Sequence, residues 1–126
     1  LTSRVMHLEG VPFADLPALY ACAEASAYTS RYEGFGLPIV ESITAGTPVV
    51  ACTGSCLEEA GGNGAVYVDP DDTEGCAEAL RRLCEDVVFH DRTARLGKQH
   101  VRKFSAENFA KSTMATYKKA LISELT

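Results

Sequence analysis

Five residues, Pro48-Val49-Val50-Ala51-Cys52, run between Gly46 and Gly54 without a charge among them. A segment so short and so uniformly apolar is the kind buried on both faces, as in a parallel sheet. Its surroundings fit that reading. Ala25 to Thr29 and Ala65 to Val68 read as further short strands, and Arg4 to Leu8 as another that ends at Gly10. Between them lie helical patterns. Leu16, Leu19, Tyr20 and Ala23 recur at helical spacing from Asp15. Pro38 sits where a first helical turn tolerates proline, and that helix runs through Ile39, Val40, Ile43 and Thr44 to stop at Gly46. After the turn-rich Gly61 to Gly64, Asp71 and Glu74 form a capping-box-like start to a helix. That helix is expected to align Cys76, Leu80, Leu83, Cys84 and Val87 on one face. Ser105 is placed to cap a final helix to Leu125, with Phe104 and Phe109 as a hydrophobic staple and Ala110, Thr113, Met114, Tyr117 and Leu121 as its stripe.

Strands alternating with helices imply an α/β fold, a Rossmann-like doubly wound parallel sheet with helices on both faces. Ligands bind such sheets beyond the C-terminal strand ends. The loop Ser30 to Gly36 holds that position.

At 126 residues the chain suits one domain. A net charge of -5 gives no positive field to draw it to nucleic acid. Lys98, His100, Arg102, Lys103, Lys111, Lys118 and Lys119 gather late and read as the solvated face of two helices. The five cysteines are odd in number and lack metal or redox spacing, so they read as reduced thiols of a cytoplasmic protein. Cys22, Cys76 and Cys84 fall at apolar positions, as small hydrophobes would. His7, His90 and His100 have no partner spacing for a metal and read as structural or exposed.

The chemistry is concentrated in Ser30-Arg31-Tyr32-Glu33-Gly34-Phe35-Gly36-Leu37-Pro38-Ile39-Val40-Glu41. Gly34 and Gly36 permit close backbone approach and unusual conformations just before a helix, whose first N–H groups favour an anion such as phosphate. A carboxylate beside a phosphate would be repelled if that phosphate were its target. It makes sense against a hydroxyl pair, where each hydrogen bond to the charged group contributes about 1.5–3 kcal/mol. A nucleoside diphosphate sugar has hydroxyls on both sides of its phosphates.

Glu33 and Glu41, with seven residues between them around Gly-Phe-Gly-Leu-Pro, resemble the signature of family 4 retaining glycosyltransferases of the GT-B fold. The likeness extends through Gly10-Val11, Ala45-Gly46-Thr47-Pro48-Val49-Val50, Leu57, Glu59, Val68-Asp69-Pro70 and Phe104-Ser105. The resemblance implies that Glu33 contacts hydroxyls of the transferred sugar and Glu41 holds the ribose. Backbone amides of Gly34, Phe35, Gly36 and Leu37 would serve the sugar and phosphates, and the loop at Val11 and Pro12 the base. It implies no metal and no cofactor beyond the nucleotide-sugar donor, and front-face attack with Glu33 positioning the donor.

Thr29 departs from the family's usual proline, and Ser42-Ile43-Thr44 from its usual Ala-Met-Ala. The resemblance implies that the family's phosphate-binding Arg and Lys are expected upstream of Leu1, and the domain that binds the acceptor further upstream. The chain is thus expected to be a partial C-terminal donor-binding domain, inactive alone, with any membrane contact made by the full-length protein. Its last helix and a sheet edge near Leu1 are expected to drive self-association. Rival readings are a sugar-nucleotide epimerase, a phosphorylase-like enzyme and a non-catalytic binding module. The glutamate pair argues against the first and last, and nothing supports a pyridoxal site. A dehydrogenase is disfavoured because no Gly-x-Gly-x-x-Gly follows the first strand.

Overall fold

The computed structural model describes residues 2–123. Three strands, β1 (Ser26–Tyr28), β2 (Val49–Cys52) and β3 (Ala65–Val68), form one parallel sheet in the order β1-β2-β3. Ser26 lies opposite Val49, and Val49 opposite Ala65. The helices are α1 (Leu16–Ala21), α2 (Leu37–Ala45), α3 (Leu57–Gly61), α4 (Thr73–Glu85), α5 (Val87–Val101) and α6 (Ala106–Ser123).

All four residues of β2 are buried, as the apolar run requires. Successive side chains of a strand point to opposite faces. Val49 and Ala51 accordingly join Ile39 and Ile43 of α2 and Leu57 and Ala60 of α3, whereas Val50 joins Ala79 and Leu83 of α4. Helices thus cover both faces of the sheet. Ser42 and Thr47 are buried polar residues, and both are satisfied. Ser42 Oγ lies 2.7 Å from Ser26 Oγ and donates to the Thr47 carbonyl at 3.1 Å, while Thr47 Oγ1 donates to the Tyr20 carbonyl at 2.6 Å. The hydroxyl that departs from the usual alanine therefore stitches β1 to α2, and Thr47 ties in α1.

The other side of α2 meets α5. A Cβ at Gly97 would stand 2.7 Å from Ile43 Cγ2 and 3.0 Å from the Gly64 backbone. Backbone approach that close admits only glycine, and it seats α5 against the turn Gly62–Gly64.

Several expectations are corrected. Arg4 to Leu8 forms no strand: a short 3-10 turn covers Thr2–Arg4, and Val5, Met6 and Leu8 are 72%, 80% and 54% exposed. No strand among the described residues pairs with that segment, and a strand has no hydrogen bonds of its own to hold it. The cap of α4 is Asp72, which accepts from the Gly75 amide at 2.8 Å, and Asp71 turns elsewhere. The expected face of that helix also breaks. Asp86 caps a new helix by accepting from Phe89 N, so Val87 starts α5 and is 69% exposed, as Cys84 also is exposed. The face that packs is Cys76, Ala79, Leu80 and Leu83. Cys22 is exposed too, and all five cysteines are free.

Ser105 does cap α6, accepting from Asn108 N at 3.2 Å. The staple is not what holds it: Phe104 turns to Phe35 and His100, and Phe109 is 74% exposed. Sequence at Leu1 and Leu125, where a sheet edge and a helix end were expected, lies outside the described residues.

Candidate functional site

Because the strands are parallel, the segments that follow them emerge at one edge of the sheet. Residues 29–36 follow β1, 53–56 follow β2 and 69–72 follow β3. They are tied to each other. Arg31 pairs with the Asp71 carboxylate and donates to the Pro70 carbonyl at 3.4 Å, so it reaches from the first of these segments to the third. Cys56 Sγ donates to the Glu33 carbonyl at 3.1 Å and links the first to the second. Asp71, expected as a helix cap, is thus an anchor of the loop rim. The Arg31 guanidinium holds its carboxyl below the usual range.

Glu33 is exposed at this edge. Tyr28, the last residue of β1, donates its hydroxyl to Glu33 Oε1 at 2.5 Å. That bond, with a contribution from Ser30, lowers the Glu33 carboxyl from its ordinary value. The same bond, and then burial, push the Tyr28 phenol up to about 12. At neutral pH the pair is a carboxylate facing a neutral phenol.

The two glycines differ. Gly36 caps α2 in the left-handed region at φ 97°, and a Cβ there would meet Leu57 Cδ2 at 2.7 Å. Its lack of a side chain is demanded by the fold. Gly34 has an ordinary φ, and a Cβ on it would meet nothing within 4 Å. Conformation and internal packing leave its side chain unrestricted. Phe35 packs edge-on against Phe104 with centroids 5.1 Å apart, which anchors the loop to the turn before α6. Tyr32, the other aromatic of the loop, is 91% exposed and packs under nothing. Leu37 begins α2, whose first N–H groups have no acceptor within the helix.

Glu41 lies a turn further along α2, and the structure places it in different surroundings. It lines a cavity of about 370 Å³ between α1 and α2 with Phe13, Leu16, Pro17, Tyr20, Val40 and others. Burial, and secondarily the nearby Glu41 charge, raise the Tyr20 phenol. Pro12 caps the 3-10 turn Phe13–Asp15 through its carbonyl, which accepts from Asp15 N at 2.9 Å. Val11 is half-buried and Pro12 exposed beside that turn, so their segment and Glu41 meet at one cavity through Phe13. Glu33 is not among the residues named there. The cavity, Tyr28 and Cys56 were not read from the sequence. Only the spacing of Tyr28 to Glu33 across the strand end was visible in it.

Glu59 contributes its carbonyl rather than its carboxylate, accepting from His100 Nε2 at 2.9 Å. His90 likewise bonds the Glu24 carbonyl at 3.1 Å, and His7 lies exposed beside Glu9. These histidines are structural or exposed. Among the described residues no cluster of three His, Cys, Asp or Glu is disposed to hold a metal ion. None of the described helices is long and apolar enough to cross a membrane.

Comparison with known proteins gives this edge a context. The chain is 35% identical over 114 residues to O-antigen chain mannosyltransferase B of Escherichia coli, matching 90% of this chain and 30% of that protein. It is 36% identical over 124 residues to MMP alpha-(1->4)-mannosyltransferase of Mycolicibacterium hassiacum, matching 94% and 30%. Sucrose-phosphate synthase of Thermosynechococcus elongatus superposes with a TM-score of 0.80 at 25% identity, over 96% of this chain and 31% of that one. The chain therefore spans about a third or less of the length of such relatives. The family model described as glycosyl transferases group 1 matches residues 1–86. On the identities, the fold and that match together, the chain belongs to the glycosyl transferases group 1 family.

Proposed function

We propose that this chain forms the donor-binding part of a retaining glycosyltransferase, which transfers a hexosyl group from a nucleoside diphosphate sugar to a sugar, lipid or other acceptor. The observation that carries the reading is the placement of Gly34. Its uncrowded backbone stands between Glu33 and the first turn of α2, at the ligand-binding edge of a parallel sheet in a chain of this family. Glu33 takes hydroxyls of the transferred sugar. The amides of Gly34, Phe35, Gly36 and Leu37 face the sugar and phosphates, where the helix N-terminus favours negative charge. Glu41 takes the ribose hydroxyls. The cavity it shares with Phe13 and Tyr20, next to Val11 and Pro12, suits the flat apolar base. A pocket lined mainly by apolar and aromatic side chains with a few placed polar groups is the usual lining of a small-molecule site.

No metal enters this scheme. Charge developing on the leaving phosphate is met by main-chain N–H groups and by basic residues of the longer protein, whose other domain binds the acceptor. Transfer proceeds with retention, the leaving phosphate taking the acceptor's proton while Glu33 holds the donor. The reading places the protein in the cytoplasm, where nucleotide sugars are made. Alone, this chain is inactive. Its exposed α6 stripe, with Met114 54%, Tyr117 60% and Leu121 63% exposed, drives self-association of the isolated chain.

Ligand-observed NMR tests the reading with uridine, guanosine and adenosine diphosphates and their glucose and mannose derivatives. Saturation transfer to one nucleotide class, weakened at least threefold by Glu41→Ala, is expected. Absence of binding both here and in the full-length protein would overturn the assignment.

A further inference from the structure

The segment carrying Glu33 has little to hold it by packing. Arg31, Tyr32, Glu33 and Gly34 are all exposed, and Tyr32 is 91% so. A glutamate in such a loop samples many rotamers, and ordering it costs conformational entropy at the moment of binding. Ser30 within the loop also bonds the Glu33 carboxylate and Arg31 ties the loop to Asp71, and two further polar contacts on Glu33 come from fixed elements. Tyr28 is in register with Ala51 in the sheet, and its ring packs against the core cluster of Ile39, Ile43 and Leu57. Its hydroxyl reaches one carboxylate oxygen of Glu33, Oε1. Cys56 caps α3 immediately before the fully buried Leu57, and its thiol donates to the Glu33 main-chain carbonyl. One contact fixes the side chain and the other fixes the backbone that bears it.

We infer that Tyr28 and Cys56 are positioning residues, which together hold the Glu33 carboxylate in the geometry that meets the sugar hydroxyls of the donor. This rests on the proposed role of Glu33 and extends it to two residues that would touch no ligand. Tyr28 sets the direction of the carboxylate through a donor bond to one of its oxygens. Cys56 sets the height of the loop through its carbonyl, and couples that height to α3. Any change to the thiol that removes its hydrogen, such as alkylation, releases the loop.

The test uses two readouts. First, the Glu33 carboxyl is titrated by carbon NMR in the wild type, Tyr28→Phe and Glu33→Gln, the last to assign the resonance. Tyr28→Phe is expected to move the Glu33 midpoint up toward the ordinary 4.5 while amide spectra elsewhere stay unchanged. An unmoved midpoint overturns the Tyr28 contact whether or not any nucleotide binds. Second, the full-length protein is titrated with guanosine diphosphate mannose, uridine diphosphate glucose and the two sugar-free diphosphates. Tyr28→Phe and Cys56→Ala are each expected to weaken the sugar-bearing probe threefold or more and leave the sugar-free one unchanged, with Cys56→Ser, which keeps a donor, restoring binding. Equal loss for both probes, or Cys56→Ser behaving like Cys56→Ala, would show a merely structural role. Glu33→Ala separates the two hypotheses. If it leaves the sugar-bearing probe unaffected, the role of Glu33 fails. If it weakens that probe while Tyr28→Phe and Cys56→Ala do not, the positioning inference fails alone.

Discussion

β2 and the segment Arg4 to Leu8 both read as strands in the sequence, yet one is the centre of the molecule and the other lies open. Val49, Val50 and Ala51 are fully buried, with helices on both faces and a strand on each side. Val5, Met6 and Leu8 are mostly exposed and adopt no regular structure beyond the turn at Thr2–Arg4. The same contrast separates α2 from α6. Ile39 and Ile43 of α2 are buried, whereas Phe109, Met114, Tyr117 and Leu121 of α6 present a stripe to solvent. An apolar pattern states what a segment can bury. Whether it does so depends on partners supplied by the rest of the chain, since hydrophobic burial follows the area actually removed from water.

The sharpest way to break that comparison is to truncate matching positions in both regions. Ile43→Ala should cost about 3 kcal/mol in urea unfolding, because it removes a fully buried side chain and leaves a cavity beside α5. Met114→Ala in α6, measured at dilutions where the chain is monomeric, should change stability by less than about 0.5 kcal/mol, as exposed substitutions do. Equal effects there would mean that α6 packs against its own chain. The close approach of α5 offers a second probe. Gly97→Ala should destabilise by roughly 2 kcal/mol, since its Cβ meets Ile43 and the Gly64 backbone, neither of which can yield easily.

A smaller effect is expected in the polar seam of the core. Ser42→Ala leaves the part-buried Ser26 hydroxyl without that partner and should cost about 1 kcal/mol, measured by thermal melting. Met114→Ala combined with Tyr117→Ala should shift sedimentation of the isolated chain toward monomer while leaving its melting point within a degree or two.

The smallest effect belongs to the exposed Arg31–Asp71 tie. The Asp71 carboxyl is lowered below 3.8, chiefly by its hydrogen bond to Arg31. Stabilisation from this pair is therefore present above the unfolded value of 3.8 and lost as pH falls through the lower folded value. Arg31→Ala should bring the Asp71 midpoint, followed by NMR, back toward 3.8, with little change in overall stability because both side chains are solvated.

Much of the local frame around the loop after β1 is legible in the sequence. The Gly-Phe-Gly loop, the proline in the first turn of α2 and the glycine after it place that helix to within a residue, because each is a local steric demand. Ser105 as the cap of α6 is local in the same way. The break between α4 and α5 is hidden in the sequence, because the apolar stripe continues across Asp86 and masks its role as a cap. Asp71 and Asp72 could not be ranked by sequence. Both suit a helix start, and Arg31, forty residues away in the chain, claims Asp71.

The sequence by itself determined some local devices: where α2 starts and stops, where α6 starts, which strand is buried on both faces, and which residues form the loop after β1. Those follow from sterics and period within a few residues. Only the tertiary structure decided the long-range pairings. They include the thiol of Cys56 on the Glu33 carbonyl, Phe104 against Phe35, the Gly64–Gly97 approach and the cavity shared by Phe13 and Glu41, while among the described residues the segment Arg4 to Leu8 meets no strand. Such contacts depend on how elements far apart in sequence meet, and no local pattern encodes that distance.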